Sequence, residues 1–159
     1  MIFVDTGAFV ARYLTQDGLH EEALVGWREL QRRGGRWFTS NLVLSEAFTL
    51  LARRAGHGFA AARAHTIYRS ERAVVLRPSE EDEVAALDLM KRYADQRVSF
   101  ADCVSFVLMR HHGLTRAFTF DRHFALAGFA MLPAYGGAGW IMEPGVEYDP
   151  YDPEEGGEE

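Results

Sequence analysis

Asp5, Glu46, Asp102 and Asp121 are carboxylates in apolar company. The chain opens MIFVDTGAF, an apolar run that ends on Asp5. Glu46 lies within NLVLSEAFTLLARR, where a helical wheel places it between Leu42 and Leu50. A carboxylate in an apolar stripe loses hydration unless something positive meets it, and an arginine from elsewhere is one such partner. Asp102 interrupts SFADCVSFVLMRHH, a helical segment apolar around most of its circumference and therefore expected to be buried. Ser99 three residues earlier also fits a capping box, a local reason for an acid there. Asp5 and Asp121 each precede a helical segment and could be its N-cap. These local readings stand beside a shared one. Asp5 and Asp121 follow apolar runs that read as strands, while Asp102 and Glu46 lie near the starts of helices. In an open parallel sheet such positions converge on one edge, where α/β proteins bind ligands. Four carboxylates brought together repel and raise one another's pKa. A hard divalent cation removes the conflict; Mg²⁺ takes oxygen ligands, tolerates a few carboxylates and keeps several waters.

The elements that must position these acids alternate between short β-branched or aromatic runs and longer helical ones. Residues 1–5 read as a buried strand, and 6–15 as a short helix. Residues 19–33 form an amphipathic helix with a C-cap at Gly34-Gly35. Strand 36–39 leads into helix 41–55, ended by Gly56, and a further helix covers 59–72. AVVLR at 73–77 is a strand stopped by Pro78. SEEDE at 79–83 is a helix start, with Ser79 as N-cap and acids in the first turn, and the helix runs to about Ala94. Residues 99–112 form a helix closed by Gly113, 117–120 a strand, and a short helix follows from Arg122. The last strand is 128–132. Strands separated by helical crossovers imply a parallel sheet covered on both faces.

At 159 residues the chain is long enough for one domain with a real core. The net charge of -6 conceals an asymmetry: residues 143–159 carry eight acids and no base. Without them, 17 basic residues face 15 acidic ones, and all the bases but Lys91 are arginine, which suits bidentate phosphate contact. After Pro133 the sequence turns to Gly, Pro, Tyr and acids, so residues 1–132 are expected to be the domain and 133–159 an acidic tail. The tail reads as a passive solubilising segment; the alternative is a polyanion that competes with nucleic acid for the arginines. No apolar run approaches the ~20 residues of a membrane span. The start MIFVD lacks a basic region and a long apolar one, so no signal peptide is expected. The lone Cys103 suits a reducing cytoplasm and reads as a small core residue.

VDTGAF at the start, the acid of VLSEAF, the acid of SFADC, and TFDRHF at 119–124 together resemble the PIN-domain family of metal-dependent ribonucleases, especially VapC-type toxins of toxin–antitoxin pairs. The order and separation of the acids match along residues 1 to about 132, and TFDRHF is the most specific piece. The resemblance implies a PIN-like three-layer α/β/α sandwich with a central parallel sheet of about five strands. It makes Asp5, Glu46, Asp102 and Asp121 the catalytic and metal-binding set, with Mg²⁺ or Mn²⁺ as cofactor and Asp121 either a ligand or an orienter of the nucleophilic water. Thr6 and Thr119 match positions where the family often places a hydroxyl near the metal or its water, and Arg122 would suit a phosphate. The implied activity is endoribonucleolytic hydrolysis of RNA phosphodiesters in the cytoplasm. The implied assembly is a homodimer with an antitoxin wrapped on its helices. An RNA-processing nuclease without an antitoxin, or a catalytically silent protein-binding scaffold, are the alternatives. The 143–159 tail lies outside the usual compact domain.

Other chemistries fit less well. His57 lies beside helix-ending glycines and His111-His112 at a helix C-terminus, and no HExxH occurs. GxSxG is absent, which removes the usual serine-hydrolase signature. Haloacid-dehalogenase-like phosphatases need a second Asp two positions after the first, where this chain has Gly7. A phospho-receiver domain needs paired acids after its first strand and a late lysine; here the acid is single and Lys91 is mid-helix.

Overall fold

The structure, a computed structural model, describes residues 1–132. The expected acidic tail lies outside the described residues. Five strands form one all-parallel sheet: β1 (Ile2–Val4), β2 (Trp37–Ser40), β3 (Ala73–Leu76), β4 (Arg116–Phe118) and β5 (Ala130–Leu132). Their spatial order is β3-β2-β1-β4-β5. From β1 the chain steps outward to β2 and β3, then returns to β1's other side for β4 and β5. The direction reverses between β1 and β4, and in such sheets the crevice at the carboxyl ends of those two strands is the natural ligand site.

Seven α-helices connect the strands: α1 (Thr6–Tyr13), α2 (His20–Arg33), α3 (Asn41–Ala55), α4 (His57–Tyr68), α5 (Glu80–Arg92), α6 (Phe100–His111) and α7 (His123–Leu126). Helix α1 packs against both α2 and α3, α3 against α4, and α6 against both α5 and α7, so the helices cover the sheet in two groups. Burial on both faces explains why β1 reads IFV, apolar without alternation, and is buried throughout. Successive residues then feed opposite cores. Phe3 faces Phe124, which stacks edge-on against Phe106 at 5.0 Å. Phe118, on β4, faces Trp27, which also meets Phe9 and Trp37. The indole of Trp27 donates to the Ala8 carbonyl at 3.0 Å, so a ring this deep keeps its polar handle satisfied. Gly26 lets α2 approach β4 this closely, since a Cβ there would lie 2.6 Å from Phe118 Cζ.

The ends of elements show which local signals held. Ser99 closes the capping box with Asp102 that its spacing predicts, and Ser79, expected only as an N-cap, closes one with Asp82. Asp82 also meets His111 at 2.7 Å, joining the start of α5 to the end of α6. Helix 59–72 instead spans His57–Tyr68. The Arg72 guanidinium bonds the carbonyls of Gly35 and Leu30, and its own carbonyl accepts from Trp37, so this residue already belongs to the turn into β3. The strand expected at 117–120 is Arg116–Phe118. Beyond it the Thr119 hydroxyl bonds Asp5 and the Asp121 amide, which turns the chain into the site. Cys103 is buried, as its reading as a core residue predicts. Among the described residues no helix is long and apolar enough to cross a membrane.

Candidate active site

Asp5, Glu46, Asp102 and Asp121 all line one open cleft of about 980 Å³ at the β1–β4 reversal. Asp5 is the floor. It follows β1 directly, its amide donates to the Phe118 carbonyl, and it is only 6% exposed. It occupies the N-cap position of α1 but accepts no capping bond there. Its carboxylate instead accepts from the Thr119 hydroxyl at 2.9 Å. The helix-cap reading of Asp5 is therefore overturned: sheet pairing directs its side chain into the cleft. Burial, then the charge of Asp102, push its pKa up to about 7; the Thr119 hydroxyl and the Thr6 amide oppose the rise, and Asp121 adds to it.

Asp102 serves both readings offered for it. Its Oδ2 accepts from the Ser99 amide at 3.2 Å and the Ser99 hydroxyl at 2.6 Å, completing the cap of α6. The same carboxylate faces the cleft. Burial raises its pKa, the Ser99 hydroxyl opposes this, and Asp121 and Glu46 add to the rise. An acid used only as a cap would be stabilised in its charged form; here desolvation and like charge outweigh the cap.

Glu46 departs from the expectation of a buried, dehydrated carboxylate. It is exposed and lines the cleft, although Leu42 and Leu50 beside it on the wheel pack against the core. Its Oε2 accepts from the Thr6 hydroxyl at 2.9 Å. Thr6 and Thr119, expected near the metal or its water, thus brace two of the acids, across 40 and 114 residues of sequence. Asp121 lies one residue before the N-cap position of α7, which Arg122 occupies without a side-chain capping bond. Its Oδ1 accepts from the His123 amide at 2.9 Å, an Asx-type turn that opens α7. Arg122 is exposed on the cleft wall.

His123 is a cleft residue to which the sequence reading gave no role. Its ring lies against Asp121, Nδ1 to Oδ1 at 2.9 Å, and Nε2 lies 3.0 Å from the Gln96 carbonyl. Ligand atoms of Asp102, Asp121 and His123 all lie within 4.8 Å of one another. The signal was present in TFDRHF: an Asx turn brings the side chain two residues after its Asp back toward it. A search for paired histidines at metal spacing passes over that geometry.

The cleft is lined by four carboxylates, the hydroxyl residues Thr6 and Ser99 and the ring of His123, with no thiolate. Such oxygen-rich sets suit hard divalent cations. The raised pKa values of Asp5 and Asp102 fit the same conclusion, since a cation among these acids would relieve the crowding that raises them. The residues present therefore fit a divalent metal.

Comparison with known proteins places the chain by sequence and by fold. The PIN domain family model matches residues 2–130. The chain is 36% identical over 133 residues to the 23S rRNA-specific endonuclease VapC20 of two Mycobacterium tuberculosis strains, covering 81% of this chain and 95% of that protein. The crystal structure of M. tuberculosis VapC20, a sarcin-ricin loop cleaving toxin, matches with a TM-score of 0.74 at 35% identity, over 81% of this chain and 96% of the other. FitAcB from Neisseria gonorrhoeae matches with a TM-score of 0.57 at 18% identity, over 82% of this chain and 96% of the other, a likeness of fold alone.

Proposed function

The chain belongs to the PIN domain family, and from that premise we propose that it is an endoribonuclease dependent on Mg²⁺ or Mn²⁺, the toxin of a toxin–antitoxin pair. The observation that carries the proposal is the convergence of Asp5, Glu46, Asp102 and Asp121 on one cleft from four separate elements. A scaffold with a silent site has no use for four braced, mutually repelling acids. When bound, the cation would lower the pKa of a water for in-line attack on phosphorus and stabilise charge on the leaving oxygen. Asp5, Glu46 and Asp102 would hold it. Asp121 would be a further ligand or would orient the attacking water. Thr119 fixes the rotamer of Asp5 and Thr6 that of Glu46, so the oxygens are aimed before substrate arrives. The exposed guanidinium of Arg122 would pair with a backbone phosphate of the RNA. The identity to VapC20 makes the sarcin-ricin loop of 23S rRNA the first substrate to test, and cytoplasmic ribosomes its setting.

Purified protein incubated with total RNA should cut it in Mg²⁺ or Mn²⁺ and leave it intact in EDTA, with 5′-end mapping locating the cut. Coexpression with the product of a small adjacent gene should suppress cutting if that product is the antitoxin. RNA left whole in both metals by folded protein would refute the nuclease reading in favour of a scaffold.

A homodimer belongs to the same proposal. Val84, Leu87 and Met90 are exposed at 55%, 49% and 42% and follow one another at helical spacing on α5. The helix begins with Glu80, Glu81 and Glu83 and ends with Lys91 and Arg92. Two copies packed antiparallel about Leu87 would bury the apolar stripe and set acidic ends against basic ones. Leu87→Glu should convert the dimer to a monomer in sedimentation velocity; an unchanged sedimentation coefficient would exclude this face.

A further inference from the structure

The ring of His123 stands between the two segments that carry Asp121 and Asp102. On one side, Nδ1 is 2.9 Å from Asp121 Oδ1 and 3.2 Å from its Oδ2. On the other, Nε2 is 3.0 Å from the carbonyl oxygen of Gln96. Each ring nitrogen thus lies at hydrogen-bond distance from an oxygen of a different segment. Gln96 ends the 3-10 turn Ala94–Gln96, and Arg97 follows in the left-handed region at φ 56°. Val98 is then anchored in the core, and Ser99 holds the carboxylate of Asp102. The imidazole thus ties the connection that aims Asp102 to the turn that carries Asp121.

That link matters because the two acids repel. Each lies on a different element, and like charge between them contributes to the raised pKa of Asp102. Repulsion alone would spread the two segments and leave a cation to gather them at its own cost. We propose that His123 is a positioning residue: by bridging Asp121 and the Gln96 carbonyl it presets the separation of Asp102 and Asp121, so that a divalent cation binds a preformed pair. The proposal rests on the metal-dependent nuclease reading and deepens it. With both ring nitrogens engaged by oxygens, His123 acts through Asp121 and not as a ligand.

Three variants separate the bonds. Asp121 keeps its bond from the residue 123 amide in all of them, so the turn itself is preserved. His123→Ala removes both ring contacts. In His123→Asn the side-chain amide nitrogen stands close to where Nδ1 was, restoring the donor to Asp121. In His123→Gln the amide reaches toward the Gln96 carbonyl and not toward Asp121.

The measurement is Mn²⁺ affinity of each full-length protein by calorimetry, with kcat and KM on a sarcin-ricin loop RNA beside it. His123→Ala should weaken Mn²⁺ binding about 10–100-fold, the usual effect of removing a group that orients a ligand. The fall should appear in kcat, with KM for RNA little changed. His123→Asn and His123→Gln each keep one of the two contacts and not the bridge, so both should bind Mn²⁺ clearly more weakly than wild type. Equal Mn²⁺ affinity in wild type and His123→Ala would overturn the assignment while leaving the nuclease reading intact. Should His123→Ala fail to fold, wild-type Mn²⁺ affinity in both the Asn and the Gln variant would overturn it instead. An imidazole ¹⁴N coupling on bound Mn²⁺, read by electron spin echo, would make the residue a ligand and also overturn the positioning role. A wild type that binds no Mn²⁺ would sink the metal reading and this proposal together.

Discussion

Asp102→Asn should cut RNA at least ~100-fold more slowly than wild type while folding almost as well, the magnitude usual for a lost catalytic group. The two halves of that expectation have separate causes. The cap of α6 needs an oxygen acceptor for the Ser99 amide and hydroxyl, and the amide oxygen of Asn supplies one. The cation needs negative charge, which Asn lacks. Melting temperature should therefore barely move while the cleavage rate collapses. The measurement is the initial rate on one RNA at saturating Mn²⁺, with melting recorded on the same samples. Equal rates would remove Asp102 from the site and reduce it to a helix cap.

Without metal, the protein should lose stability as pH rises through neutrality, and Asp5→Asn should abolish most of that loss. Asp5 has its pKa pushed from 3.8 to about 7 in the folded state, by burial first and then by Asp102. Between those values the native protein holds a proton that the unfolded chain has released. Stability then falls with increasing pH. The full contribution is present below about 4 and is gone once pH has passed about 7. The difference between the two values corresponds to on the order of 4 kcal/mol. Asp102 is shifted in the same direction, so some slope should survive in the variant. Urea unfolding in EDTA at pH 5 and pH 8, for wild type and Asp5→Asn, measures the difference. Added Mn²⁺ should restore stability to wild type at pH 8 and do much less for the variant. Parallel pH slopes for the two proteins would show that Asp5 is not the strained group.

Glu46 illustrates how far local reasoning reaches. Helical periodicity placed it correctly, between Leu42 and Leu50, but a wheel says only which residues share a face. Whether that face meets core or cleft depends on where α3 sits over the sheet. Here Leu42 and Leu50 pack against the core while Glu46 between them reaches the cleft and is exposed. Asp5 erred in the opposite sense. Its position before a helix suggested a cap, yet β1 pairs with β4 and directs the carboxylate beneath the helix end, against Thr119.

The sequence by itself determined the alternation of strands and helices, the Ser99–Asp102 capping box, the Ser79 N-cap, and the choice of four acids that turn out to share one cleft. These depend on periodicity, turn chemistry and spacing within a few residues, all of which a linear chain displays. Only the tertiary structure decided that the sheet order reverses between β1 and β4. That reversal sets Thr119 on Asp5, and the packing of the helices over it sets Thr6 on Glu46 and His123 between Asp121 and Gln96. Partners lying 40 or 114 residues apart leave no local signature. They meet because both faces of the sheet must be buried, and covering them fixes which strand ends become neighbours.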